Sequence, residues 1–293
     1  MDGQFATLVL AAAVSGVLLG GVYVSATIGL SLSMGMARTF NLAHTAVALV
    51  CAYLAYVLLT TYGVDPVLSL LLLVPTMFLV GMGLWKVLVA TALKRTIDPP
   101  LSTSILTLGL AIAIENAASR VWTPNPRVLH TWYSDEAVHF SGITIQATYA
   151  IGAVLAILLV VGLYWFLNYT VRGLAIQAVA QETDGALLQG IDAARVSMSA
   201  FALSTATAAV GGVSLALIYS FMPAVYFDWL LIALLMVIVG GAGTVLGTAV
   251  SGVIIGFVLG LGGAVLPQSW SNIILFSLLV FILMVRPYGM FTR

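Results

Sequence analysis

Residues 172–195 read RGLAIQAVAQETDGALLQGIDAAR, a polar island between two long apolar runs. Arg172, Glu182, Asp184, Asp192 and Arg195 give it five of the twenty formal charges of a 293-residue chain. Thr183 or Asp184 can cap a helix start, Ala186, Leu187 and Leu188 offer a small apolar face, and Gly190 sits where a left-handed residue closes a helix. The expected product is a helix of about two turns lying across one membrane face, with Ile191 just beyond it. Ile176, Val179 and Ala180 fall at helical spacing and read as an extension of the preceding span. The plain alternative is an ordinary loop.

Outward from the island the chain is oily. Hydrophobic residues make up 62% and charged residues 7%, against roughly a quarter charged in a soluble domain. That much apolar surface needs lipid as its solvent. Runs of about 20 apolar residues suffice to cross the hydrocarbon core, and they fall near 7–35, 40–61, 66–85, 101–122, 144–168, 196–220, 228–246, 248–266 and 271–285. Gly16, Gly20, Gly21, Gly29 and Gly35 permit breaks in the first. Gly240, Gly241, Gly243 and Gly247 divide the seventh from the eighth, so one segment there can be broken or re-entrant. The expected fold is an all-α polytopic membrane protein of about 8–10 transmembrane helices. It reads as one transmembrane domain over 1–293 with a cytoplasmic loop over 169–195. The start, MDGQFATLVL, has no Lys or Arg before Arg38, so it reads as the lead-in to a retained span rather than a signal peptide.

Basic residues orient the spans. Arg38, Lys86, Lys94, Arg95, Arg172, Arg195, Arg286 and Arg293 share one side, and Arg120 and Arg127 the other, a split of eight to two. The N-terminus is expected outside and the C-terminus in the cytoplasm, with the island cytoplasmic. The outer loop Thr123–Ser141 carries Pro124, Pro126, Trp132, Tyr133, Asp135 and Glu136. It reads as an aromatic interfacial belt or as part of a docking surface for an extracytoplasmic partner.

Several chemistries are excluded. Net charge is zero, which gives no reason to expect nucleic acid. Cys51 is the single cysteine, so neither an internal disulfide nor a thiolate metal site can form. His44, His130 and His139 are too scattered for a metal centre. No G-x-x-x-x-G-K-[ST] precedes Lys86 or Lys94, so the chain has no P-loop for ATP. Gly212-Val213-Ser214 resembles a serine-protease turn, but no His follows His139. No catalytic residue is expected.

Polar groups inside the spans are the remaining candidates. Glu115 lies deep in the fourth span with Asn116, and an ionisable group there costs at least ~2.5 kcal/mol, so it faces a cavity or a partner; Ser119 is better placed than Arg120. Asn41 and His44 lie three apart on one helical face. These four are candidates to line a translocation path, with a near-surface or structural role as the alternative for Glu115 and interhelix hydrogen bonding as that for His44. Asp228 reads as the N-cap of its span.

The island run Arg172-Gly173 … Ala178-Val179-Ala180-Gln181 … Ala186-Leu187-Leu188-Gln189-Gly190-Ile191 … Arg195-Val196 resembles the cytoplasmic loop of the LivH/LivM permeases. Gly20-Gly21-Val22-Tyr23 … Asn41-Leu42-Ala43-His44 is similar to that family's first signature, Val239-Gly240-Gly241-Ala242-Gly243-Thr244 to a later one, and Arg286-Pro287-Tyr288-Gly289-Met290-Phe291 to its ending. Thr45 stands where the family usually has Gly, Leu42 where it has Phe, and Ile232 where Lys is common. The resemblance implies a permease subunit of an ABC importer in a bacterial inner membrane. Its solute would be a branched-chain or other apolar amino acid, with urea, amides or small organic acids as alternatives. Its partners would be a second permease subunit (a paralogue rather than a copy), two ABC ATPase subunits and a periplasmic solute-binding protein. ATP and Mg would sit on the partner ATPases, with no cofactor on this chain. Thr183, Asp184, Ala186, Leu187, Leu188, Gly190 and Ile191 would couple to the ATPase. The rival reading is a single-chain secondary transporter.

Overall fold

The computed structural model describes residues 2–37, 39–93, 98–140, 143–265 and 270–285. Arg38, Lys94, Arg95 and the 286–293 tail, on which part of the charge count and one motif rest, lie outside the described residues.

Aspartate–proline pairs start two of the helices. Asp65 caps α3 (Pro66–Leu84) by accepting from the Val67 amide at 2.8 Å, and Asp98 caps α5 (Pro99–Trp122) through the Leu101 amide at 3.2 Å. Proline at the first helical position loses no hydrogen bond there. Around these stand α1 (Asp2–Gly35), α2 (His44–Tyr62), a π-helical turn Trp85–Val89, α4 (Ala90–Leu93), α6 (Ala147–Tyr169), α7 (Val171–Gln181), α8 (Thr183–Leu188), α9 (Ala193–Ala216), α10 (Val225–Gly240), α11 (Val245–Val265) and α12 (Ser271–Val285). The fold is an all-α polytopic membrane protein. Among the described residues seven helices are long and apolar enough to cross a bilayer, and α10 and α12 are shorter apolar helices. The 16 residues of α10 rise about 24 Å, short of the roughly 30 Å hydrocarbon core.

α9 is the centre. Its sequence FALSTATAAVGGVSLA, residues 201–216, is buried almost throughout. Small side chains let backbones approach closely where lipid supplies no hydrophobic drive. A Cβ on Gly211 would meet the Ala26 backbone, and one on Gly212 the Ala48 carbonyl. A second close crossing joins α1 to α11. Gly16 faces Gly256 and Gly260, and Gly20 faces Gly252 and Gly256, so each helix brings a G-x-x-x-G ridge.

The structure corrects several expectations. α1 is unbroken to Gly35, because its glycines pack against neighbours instead of interrupting the helix. The third apolar run continues through the π turn to Leu93. Asp228 lies within the first turn of α10, which starts at Val225 after Ala224. Asn41 and His44 do not share a helical face: Asn41 lies in the turn before α2, which begins at His44. α7 is a separate helix and does not prolong α6.

The segment between α5 and α6 holds a hairpin that the apolar pattern does not announce, β1 (Ala137–Phe140) antiparallel to β2 (Ile143–Gln146), with Val138 opposite Ile145. The loop is tied down at Arg127, which exchanges both backbone hydrogen bonds with Phe221 at 2.8 and 2.9 Å. The Arg127 guanidinium lies over the Tyr56 ring and donates to the Tyr56 hydroxyl and the Trp122 carbonyl. The Tyr133 hydroxyl donates to Asp65, and burial together with that carboxylate pushes the phenol up to about 12. Trp132 remains 79% exposed. The hairpin, Arg127, Phe221 and the C-terminal ends of α2 and α5 therefore share one face. A second cluster, with Leu32, Trp85, Leu167, Ile176 and Phe201, brings α7 and the adjoining helix ends together on the opposite face.

Candidate functional site

Three constructions come from the residues singled out above. The first is the island. Thr170 turns the chain at the end of α6, where its hydroxyl accepts from the Gly173 amide at 3.0 Å. Gly173 presses on the end of α6, where a Cβ would meet the Phe166 carbonyl. Gln177 donates to the Leu167 carbonyl at 3.0 Å, and Ile176 and Val179 are buried. α7 is thus folded back onto the bundle as a rigid bracket.

The extended residue Glu182 separates α7 from α8, and it is the N-cap of α8 without a side-chain cap bond. Neither Thr183 nor Asp184 caps the helix. The Thr183 hydroxyl donates back to the Val179 carbonyl at 3.1 Å, and Asp184 lies in the first turn, where a carboxylate suits the helix dipole. At the far end the Gly190 amide donates to Leu187 at 2.9 Å and the Ile191 amide to Ala186 at 3.1 Å. Gly190 has φ +79°. This is the paired hydrogen-bond closure that a left-handed glycine makes possible. Ala186 is buried, Leu187 is 52% exposed and Leu188 87% exposed. α8 therefore presents leucines outward from a fixed base.

The second construction is a buried polar turn. The chain leaves α1 and returns to α2 through Met36–Ala43, deep enough that the His44 Nε2 reaches the Ala26 carbonyl at 3.1 Å. That bond needs the proton on Nε2, which leaves Nδ1 as an acceptor. Non-helical backbone at such depth survives only where protein or trapped water satisfies it. The Thr107 hydroxyl of α5 does part of this, accepting from the Leu42 amide at 3.0 Å and donating to the Phe40 carbonyl at 2.9 Å. Asn41 Oδ1, His44 Nδ1 and Thr45 Oγ1 are buried without a protein partner. His44 also fills the space over Gly29, next to Thr207 and Ser204 of α9. A neighbouring glycine turn is satisfied similarly: the Gly243 amide donates to both the carbonyl (3.0 Å) and the hydroxyl (3.1 Å) of Ser31. A side chain at Gly243 would strike Gly35, and its φ of +83° disfavours one in any case.

The third is a cavity of about 380 Å³ between α1, α10, α12 and the segment after α9. That is within the roughly 300–1,000 Å³ of small-molecule sites. Its polar lining is Tyr23, Tyr219, Ser220 and Asp228, and its apolar lining includes Trp229, Ile232, Leu235 and Leu275. The Tyr23 and Tyr219 hydroxyls are 3.1 Å apart, across 196 residues of sequence. Burial, reinforced by Tyr23, raises the Tyr219 phenol well above its usual range, so it is a neutral donor and acceptor. The Asp228 carboxylate is exposed and makes no hydrogen bond or ion pair among the described residues. A carboxylate beside hydroxyl donors and an apolar wall can hold a small zwitterion by both its charges.

Asn41, His44, Glu115 and Asn116 do not line this cavity. Glu115 is half-buried, with Tyr226 of α10 rather than Ser119 as its electrostatic neighbour. Asn116 is exposed, and its amide donates back to the Ile112 carbonyl at 2.8 Å. Tyr219 and Ser220 escaped the reading of the sequence. Tyr23 stood there only within the first signature, Asp228 as an N-cap and Ile232 as a departure from the usual Lys.

A family model described as branched-chain amino acid transport system / permease component matches residues 12–283. The chain belongs to that permease family. The high-affinity branched-chain amino acid transport system permease protein LivH of Escherichia coli is 26% identical over 291 residues, covering 95% of this permease and 94% of that protein. The permease protein BraD of the same kind of system in Pseudomonas aeruginosa is 25% identical over 298 residues, covering 96% and 94%. The probable branched-chain amino acid transport permease protein LivH of Methanocaldococcus jannaschii is 27% identical over 297 residues, covering 93% and 91%. No solved structure matches significantly.

Proposed function

We propose that this permease is the membrane-spanning subunit of an ATP-driven ABC importer that moves a branched-chain or other small apolar amino acid into the cytoplasm. A periplasmic binding protein delivers the solute on the hairpin face. Two ATPase subunits, which hold ATP and Mg, engage the opposite face, and a paralogous second permease completes the path. The N-terminus is outside and the C-terminus in the cytoplasm of a bacterial inner membrane, following the basic asymmetry.

The observation that carries this reading is α8. A closed six-residue helix with Leu187 and Leu188 outward has no use inside a bilayer, yet it fits a groove on a soluble partner. Its bracket α7 packs on the spans, so a push on α8 moves the ends of α6 and α9. The solute class follows from the relatives' names and suits the Asp228 cavity, where the carboxylate takes an ammonium, the tyrosine hydroxyls take a carboxylate, and Ile232 and Leu235 take an aliphatic side chain. Asn41, in the buried turn, and His44 beside it flank the path together with Glu115 and Asn116.

The test is reconstitution of the native complex in proteoliposomes. Uptake of labelled leucine, isoleucine or valine should require lumenal ATP and the binding protein. Uptake by the purified chain alone, driven by a proton or sodium gradient, would establish the secondary-transporter reading instead.

A further inference from the structure

We propose that a groove between α3, α6 and α9 holds one anionic phospholipid of the leaflet next to the island. The groove begins in a cavity of about 310 Å³ lined by Arg172, Arg195, Ser199 and Phe78. It continues in an apolar cavity of about 250 Å³ lined by Val74, Leu158 and Gly162. Phe166 and Leu203 line both, so the two form one trench. From Arg195 the trench follows α9 to Val210, 15 residues, or about 22 Å at the helical rise. One leaflet of hydrocarbon is about 15 Å deep, half of the usual core, so an acyl chain has a full-length bed.

The head end is at the right level and of the right sign. Trp165 and Tyr169, on the last turns of α6, are 59% and 70% exposed, and such side chains mark the membrane–water interface. The two arginines lie just beyond them. Asp192 pairs with Arg195 at 2.9 Å, but both side chains are largely exposed, and such a pair is weak enough to share the guanidinium with a phosphate. Arg172 makes no ion pair among the described residues. Basic pockets between membrane helices on the cytoplasmic side select anionic headgroups. The trench is also unfilled by protein. A Cβ built on Gly162 finds no atom within 4 Å. A lipid seated there would bridge Arg172 at the start of α7 and Arg195 at the start of α9, the two helices that carry α8. The binding claim does not depend on the transport reading.

The experiment is native mass spectrometry of the purified complex, exchanged into nanodiscs containing phosphatidylglycerol and phosphatidylcholine. Wild type should retain phosphatidylglycerol in preference. Arg172→Gln or Arg195→Gln should each weaken that retention about fivefold, and the pair roughly thirtyfold, from the effect of one basic residue near a lipid surface. Lysine at both positions should keep most of it. Gly162→Phe enters open space, so it should fold, fill the trench and reduce retention of either lipid. Equal retention of the two lipids by wild type would overturn the proposal. So would unchanged retention in the double glutamine variant, or displacement of the lipid by inorganic phosphate alone. Loss of the second permease from Gly162→Phe with lipid retention intact would assign the trench to a protein partner and overturn it too.

Discussion

The Ile191 amide donates to the Ala186 carbonyl at 3.1 Å, across a Gly190 held at φ +79°. That bond ties the chain leaving α8 back to the one residue of its apolar trio that is buried. The two exposed leucines are therefore held at a fixed height over the bundle, and any force applied to them is delivered through Ala186 rather than absorbed by a loose end.

Gly190→Val should undo this. A β-branched residue in the left-handed region costs about 1–2 kcal/mol or more, so the closure opens while the spans stay intact. Leu188→Arg is the sharper probe, because Leu188 is the most exposed of the trio and a charge in a desolvated contact is costly without a partner. Both variants should reach the membrane at normal levels and lose solute-stimulated ATP hydrolysis in proteoliposomes. Wild-type stimulation in both would reduce α8 to a connector.

The α1–α11 crossing predicts a different phenotype. A Cβ at Gly20 or Gly256 would run into backbone of the opposite helix, not into a movable side chain. Gly20→Leu and Gly256→Leu should each destabilise the fold by about 1–3 kcal/mol or more, as overpacking does. Gly83→Ala, with nothing within 4 Å, should be silent. The measurement is the thermal midpoint of the detergent-purified complex, followed by aggregation of a fluorescent fusion.

Cysteine labelling checks the two faces. In a Cys51→Ala background, cysteine at Trp132 should react with an impermeant maleimide from outside intact cells, and cysteine at Leu188 only in inverted vesicles. Both positions are highly exposed on this chain, and the vesicles are to be stripped of ATPase subunits so that Leu188 is uncovered. The opposite pattern would reverse the orientation drawn from the basic residues.

The legible part of this molecule is the part written in short-range patterns. Apolar runs located the spans, and the charges between residues 172 and 195 located the platform, because each depends on a window of about 20 residues. The left-handed Gly190 was equally local. Asn41 and His44 were recognised as polar residues needing a reason, but a helical spacing was assumed where the chain turns. Part of what holds that turn is Thr107, 65 residues further on, which accepts from the Leu42 amide. Gly16 and Gly20 were read as breaks for the same cause: whether a glycine bends a helix or packs it is decided by Gly252 and Gly256 on a helix more than 200 residues away. The Tyr23–Tyr219 pair has no local signature at all.

That pair sets the last prediction. Asp228 has no partner among the described residues and lies at a cavity whose other described polar groups are neutral hydroxyls, so among these it is the group able to hold an ammonium by charge. A hydrogen bond to a charged group contributes about 1.5–3 kcal/mol, which corresponds to a loss of roughly tenfold or more in apparent affinity when the charge goes. Asp228→Asn should therefore raise the KM for amino acid uptake by about that factor and leave basal ATP hydrolysis unchanged. Tyr219→Phe should have a smaller effect, since Tyr23 remains to donate, and the double change Tyr23→Phe/Tyr219→Phe should exceed the sum of the singles. If Asp228→Asn transports leucine with wild-type KM, the solute passes by another route and the cavity is only a space between helices.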